Sequence, residues 1–161
     1  MVDPRLLSRC GIYCGACFIF RAQRDGGPLL EAMSRRFGVP PAEIRCSGCS
    51  SPYEERWRNC QRCSLVACQV RRGLESCGGC SELSECLDHK FLRDFSAYRG
   101  EDAVSGLRWI SSGDSDAWLR EQKKRWSCPR CRAPYMWYDN VCRRCGEQLR
   151  KKPVDIDGYG K

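Results

Sequence analysis

Residues 128–145 read Cys128-Pro-Arg-Cys131-Arg-Ala-Pro-Tyr-Met-Trp-Tyr-Asp-Asn-Val-Cys142-Arg-Arg-Cys145, a C-x2-C-x10-C-x2-C arrangement. A two-residue gap lets both sulfurs of a knuckle point at one ion while the intervening backbone N–H groups donate to the thiolates, and two knuckles complete a tetrahedral shell. The spacing predicts a structural zinc site on Cys128, Cys131, Cys142 and Cys145. Between the knuckles, Tyr135-Met136-Trp137-Tyr138 reads as a strand and Asp139-Asn140 as a turn, so a β-type zinc ribbon is expected over 127–152. Gly146, directly after Cys145, suits a position of positive φ. Arg132 holds the matching place after Cys131, which weakens that turn without touching the ligands.

The same knuckle recurs upstream as Cys14/Cys17, Cys46/Cys49, Cys60/Cys63 and Cys77/Cys80, and Cys10, Cys68 and Cys86 are left over. Fifteen cysteines in 161 residues would mark a disulfide framework in a secreted chain. The opening Met1-Val2-Asp3-Pro4-Arg5, however, has neither an apolar core nor a small-residue cleavage site, and an odd number of thiols cannot all pair. No apolar run approaches the ~18 residues of a membrane span. The expectation is a cytoplasmic protein without membrane contact, whose thiols are metal ligands.

The simplest partition joins Cys14/Cys17 to Cys46/Cys49 and Cys60/Cys63 to Cys77/Cys80, which with the C-terminal site makes about three zinc ions. Cys10, Cys68 and Cys86 are additional candidate ligands. Cys68 and Cys86 read equally as buried free thiols, or as replacements in a set such as Cys63, Cys68, Cys77 and Cys80. His89, the only histidine, reads as solvated rather than as a ligand.

Helices fit between the knuckles. Pro28 starts and Gly38 stops a segment with Leu29, Met33 and Phe37 on one face, and Ser64 caps a short helix ending before Gly73. Leu83, Leu87, Phe91 and Phe95 mark a helix over about 82–98 whose apolar stripe should be buried. Asp114 or Ser115 caps a helix running to Trp126. The fold class expected is α+β, small and metal-nucleated, with short helices between zinc knuckles followed by the ribbon. Its parts are a cysteine-rich metal-binding domain over 1–100, a connector and amphipathic helix over 101–126, the ribbon over 127–152 and a disordered tail over 153–161.

The segment Cys10-Gly-Ile-Tyr-Cys14-Gly-Ala-Cys17 also has the C-x3-C-x2-C spacing of a radical-SAM iron–sulfur site. No alternating strand–helix series follows to hold the nucleotide, and Ala16 stands where an aromatic is usual, so that chemistry is set aside. An iron–sulfur cluster without it stays open, since thiolates bind either metal.

That segment, then Cys46-Ser-Gly-Cys49, then Cys63-x4-Cys68 leading through Arg72-Gly-Leu-Glu75 to Cys77-Gly-Gly-Cys80 and Cys86, resembles the family catalogued as Domain of Unknown Function 3795. The resemblance covers about residues 8–98. Some members also carry a helix like Trp118 to Trp126 and a Cys-Pro-x-Cys ribbon. Ser84-Glu85-Cys86 departs from the proline many members place before that cysteine. The resemblance implies a zinc-binding protein without an established reaction, and implies that Cys10, Cys68 and Cys86 belong to the motif.

Two function classes follow. The first is a non-enzymatic zinc-binding module that contacts single-stranded nucleic acid or a partner protein through residues 119–152, where eleven Lys/Arg face three acids and Trp126, Tyr135, Trp137 and Tyr138 offer stacking platforms. The alternative is an iron–sulfur redox protein or a metal-dependent enzyme using the N-terminal cysteines; a donor set of thiolates almost alone argues against a catalytic zinc. The formal net charge of +8 is lopsided: 1–118 holds sixteen Lys/Arg against fifteen Asp/Glu. Each Zn²⁺ on four thiolates adds about −2, so the first part becomes mildly acidic while 119–152 stays basic.

Overall fold

The computed structural model describes residues 2–149; Arg150, Lys151, Lys152 and the tail expected over 153–161 lie outside the described residues. After a 3-10 turn at Cys14–Ala16, helix α1 (Phe18–Asp25) buries Ile19, Phe20 and Ala22. Gly26 and Gly27, both at positive φ (64° and 54°), reverse the chain into α2 (Gly27–Phe37) with Pro28 in its first turn. The expected stripe is there: Leu29, Met33 and Phe37 pack on Ile19, Ile44 and Trp57. Helix α2 stops as its glycine predicted, Gly38 N–H bonding to Arg35 O (3.3 Å) and Val39 N–H to Ser34 O (3.2 Å).

The single turn α3 (Arg58–Gln61) leads into α4 (Ser64–Arg72), which ends at left-handed Gly73. Cys63, not Ser64, occupies the N-cap of α4, and Cys17 and Cys86 occupy those of α1 and α5 (Leu87–Ala97). Helix α5 packs through a different face from the one its periodicity suggested. It buries His89 and Ser96 and sets Leu92 against Leu65 and Leu107, while Leu87 (78 %), Phe91 (72 %) and Phe95 (46 %) are exposed. A polar anchor selects this face: buried His89 meets Cys10 O through Nε2 at 3.2 Å. His89 is therefore not solvated.

Most of the stretch expected as a connector is helix α6 (Ala103–Ser111), capped by the Asp102 carboxylate, which accepts from Ser105 N–H at 2.9 Å. Glycine has low helix propensity, yet Gly106 is required there, because a methyl group would overlap Gly11 O. Gly11 in turn has φ 94° and no room for a side chain against Ala103 O. This seam of two glycines holds Cys10 beside α6. Helix α7 (Ser115–Arg125) follows, its cap the Asp114 carboxylate accepting from Ala117 N–H at 3.1 Å.

The expected β-type ribbon is not formed. Among the described residues there is no strand, only isolated bridges at Leu7–Tyr13, Ser127–Pro134 and Val141–Gln148. Each C-terminal knuckle folds on itself: Tyr135 N–H bonds to Trp126 O (3.0 Å) and Leu149 N–H to Asn140 O (2.8 Å). The ladder stops because the donors that would extend it are taken elsewhere. Met136 N–H goes to the Asp139 carboxylate (2.9 Å) and Trp137 N–H to Ala16 O (3.1 Å). The α+β class thus gives way to a helical chain with cysteine turns.

One core joins the two ends of the chain: Tyr13 and Ala16 pack with Trp118, Leu119, Trp126, Tyr135, Trp137 and Leu149. Glu101 ties it together, accepting from Trp137 Nε1–H at 2.7 Å and from Tyr13 N–H at 3.4 Å. No described helix is long and apolar enough to cross a membrane.

Candidate metal centres

At the C-terminal end the four sulfurs of Cys128, Cys131, Cys142 and Cys145 all lie within 4.8 Å of one another, with 3.6 Å between Cys128 and Cys145 and between Cys131 and Cys142. A tetrahedron of thiolates ~2.3 Å from one Zn²⁺ has edges of ~3.8 Å, so the quartet has the dimensions of a mononuclear site. Cys128 and Cys142 are buried and the other two half-buried, and four sulfurs are the number a tetrahedral shell takes. The halves match: Arg132 N–H bonds to Cys128 O (3.0 Å) and Gly146 N–H to Cys142 O (2.9 Å). Arg132 adopts φ 61°, the backbone its glycine counterpart takes at 75°. Burial opposes ionisation of Cys128, yet the N–H groups of Cys131 and Arg130 and the Cys145 thiol draw it down to about 7. The neighbouring Cys145 thiol is pushed the other way, so the two titrate as a coupled pair, and a divalent cation would stabilise their thiolates together.

The eleven upstream cysteines divide differently from their knuckles. Cys46, Cys17 and Cys60 pack in the α1–α2 core. Cys49 interacts with the thiols of Cys14 and Cys60, and its N–H points at Cys14 Sγ from 3.4 Å. On the other side, Cys77 packs with Cys10, Cys63 and Cys86 around Leu65 and Leu107, and Cys80 is also in its electrostatic reach. Cys60 and Cys63 pack in different clusters, and among the described residues no upstream set of three or more thiols draws as close together as the C-terminal quartet. Cys10, left over in the sequence, joins the Cys77 group across the glycine seam, although the Cys14 and Cys49 thiols also feel it. Cys86 joins that group too, whereas Cys68 shares the Arg72 guanidinium with Cys80.

Burial pushes the Cys10 and Cys17 thiols up to about 12 and Cys77 to about 11, so without a cation these groups stay protonated and neutral. The surroundings nevertheless favour thiolates. The first-turn N–H groups of Phe20 and Ile19 in α1 oppose burial at Cys17, and Gln69 Nε2–H, itself buried, donates to Cys77 Sγ at 2.8 Å. Arg72 donates to Cys80 Sγ at 3.6 Å. Donors aimed at sulfur and a nearly all-thiol ligand set fit soft or borderline metals.

Three residues the sequence reading missed or misplaced brace the structure: His89 and Gln69 hold the Cys10 and Cys77 side, and Glu101 the core that joins the two ends. None carries a motif; each is polar and buried, His89 and Glu101 lie far in sequence from what they hold, and Gln69 is eight residues from Cys77 but also reaches Arg9 O. In the basic segment, Trp126, Tyr135 and Trp137 are buried, and Tyr138 alone of the four aromatics is exposed. The cations Arg120, Lys123, Lys124, Arg130, Arg132 and Arg144 are exposed.

The family described as "Protein of unknown function (DUF3795)" matches residues 6–91, more than half of the chain, and the protein belongs to that family. No curated protein and no solved structure matches it.

Proposed function

We propose that the protein, a member of this family, is a non-enzymatic metal-binding module built around three thiolate centres. The C-terminal quartet holds a structural zinc. Cys14, Cys17, Cys46, Cys49 and Cys60 supply one further centre, and Cys10, Cys63, Cys77, Cys80 and Cys86 the other. The 3.6 Å sulfur–sulfur edges of the quartet carry the reading, because they match one tetrahedral ion, and a shell of four sulfurs is that of a structural rather than a catalytic zinc.

The test is elemental analysis of protein purified anaerobically. Zinc is expected, with one equivalent lost in Cys128→Ser and an unchanged upstream complement. Stoichiometric iron with a brown absorbance would replace the zinc reading of the upstream centres with an iron–sulfur one. A quartet variant that keeps all its metal would overturn the structural site.

The exposed cations of 119–152 favour contact with a nucleic-acid backbone at that end. With three of the four aromatics in the core, the attraction is electrostatic, through phosphates rather than base stacking. Affinity for single-stranded RNA that does not weaken as salt rises would remove this reading.

A further inference from the structure

Helix α5 turns its larger apolar stripe outward. Leu87, Phe91, Phe95 and, at the helix end, Tyr98 follow one another at steps of four, four and three residues, so they share one face, and Tyr98 is 90 % exposed. The face is ordered. The Phe91 and Phe95 rings stack 6.0 Å apart and 14° from parallel, and the guanidinium of buried Arg99 lies 3.0 Å from the Phe95 centroid while meeting the Trp137 and Tyr138 rings at 5.4 and 5.0 Å. The four side chains offer on the order of 500 Å² of largely apolar surface, at the upper end of what a monomer leaves open.

The edges of the stripe say what fits it. Lys90 and Asp94, both exposed, lie one turn apart along the same edge, and Asp94 stays half-exposed although it accepts from Arg93 at 2.7 Å. When two α5 helices lie antiparallel about a two-fold axis, like edges come side by side in opposite directions. Lys90 then meets Asp94 of the other copy, Phe91 meets its Phe95 and Leu87 its Tyr98. The midpoints of these three pairings all fall at residues 92–93, so one register satisfies them together. Such matching of a surface to itself is what an isologous interface requires. An anionic membrane fits less well, since the exposed charges of the face, Asp88, Lys90 and Asp94, include two acids.

We propose that the outer face of α5 is a homodimer interface, seating a second copy of this chain antiparallel across Leu87, Phe91, Phe95 and Tyr98. The interface uses none of the thiols and none of the cations of 119–152, so it stands or falls apart from the proposed function.

The experiment is sedimentation velocity of the metal-loaded full chain over about 1–200 µM, because a patch below about 800 Å² per partner supports a weak, concentration-dependent pair. The mass is expected to rise towards twice that of the monomer, and Phe91→Ser should remain monomeric with its metal content and helicity unchanged. Lys90→Glu and Asp94→Lys should each weaken the pair about tenfold by setting like charges face to face, whereas an equimolar mixture of the two should associate as tightly as the wild type. A wild type that stays monomeric throughout would overturn the proposal; sedimentation with phosphatidylserine vesicles, lost in Phe91→Ser, would then assign the face to a membrane. A dimer that survives Phe91→Ser would place the interface elsewhere, and a mixture no tighter than its components would rule out the antiparallel register.

Discussion

The C-terminal quartet and the upstream thiols are made of the same knuckle and are organised in opposite ways. At the C-terminus ten residues separate two knuckles, too few to place a helix between them and still return, so both pairs converge on one point. Upstream, α1 and α2 lie between the Cys17 and Cys46 knuckles and α4 between the Cys63 and Cys77 knuckles, so helix packing separates the pairs. Cys60 ends up facing Cys49, while Cys63, three residues on at the start of α4, faces Cys77. Spacing alone specifies a ligand set when the chain between is short. When helices intervene, their packing specifies it.

The largest effect expected from breaking this comparison is metal removal. Structural zinc contributes on the order of 10–16 kcal/mol in small domains, more than the stability of a chain this size. A strong chelator should therefore abolish the cooperative melt, and exposure of buried Trp126 and Trp137 should shift tryptophan emission to the red. A melt that is unchanged after metal loss has been verified would show that packing suffices.

Next comes the Cys60/Cys63 knuckle. Cys60→Ser and Cys63→Ser should each lower metal content at a different centre, and the double variant should lose the sum of the two. If both thiols served one ion, as the simplest reading of the spacing has it, the double variant would lose no more than either single one.

Glu101 tests the core that joins the two ends. Burial raises its carboxyl to about 7, against 4.5 ordinarily, even though Trp137 and Tyr13 donate to it. Between those values the folded chain keeps a proton the unfolded chain has released, so stability falls as pH rises from about 4.5 towards 7, by up to ~3 kcal/mol. Denaturation of metal-loaded protein should show this slope in the wild type, and Glu101→Gln should flatten it. An equal slope in the variant would place the titration elsewhere.

The smallest effect concerns the matched turns of the quartet. Arg132→Gly should stabilise the folded protein by about 0.5 kcal/mol, the relief of left-handed strain exceeding the added freedom of the unfolded chain. Gly146→Ala, the mirror change, should destabilise by about 1 kcal/mol. Two changes of the same sign would mean that the two halves differ in more than this residue.

Helix ends were legible because they are local chemistry: Gly38 and Gly73 stop α2 and α4, and Asp114 caps α7. Helix α6 was not, since Gly106 argues against a helix until Gly11 is seen lying on it. The face of α5 was misread for a related reason. Leu87, Phe91 and Phe95 form the stronger apolar stripe, but His89 and its bond to Cys10 O turn the helix the other way.

By itself, the sequence determined the thiol chemistry, the quartet of Cys128, Cys131, Cys142 and Cys145, most of the helices and the family. Each rests on residues near one another in the chain or on side-chain type alone. Only the tertiary structure decided which clusters the upstream thiols pack in, that Trp126, Tyr135 and Trp137 are core rather than surface, and that no strand forms between the C-terminal knuckles. Those outcomes depend on contacts between distant segments, such as Trp137 N–H on Ala16 O and Gly11 on Gly106, which no local spacing encodes.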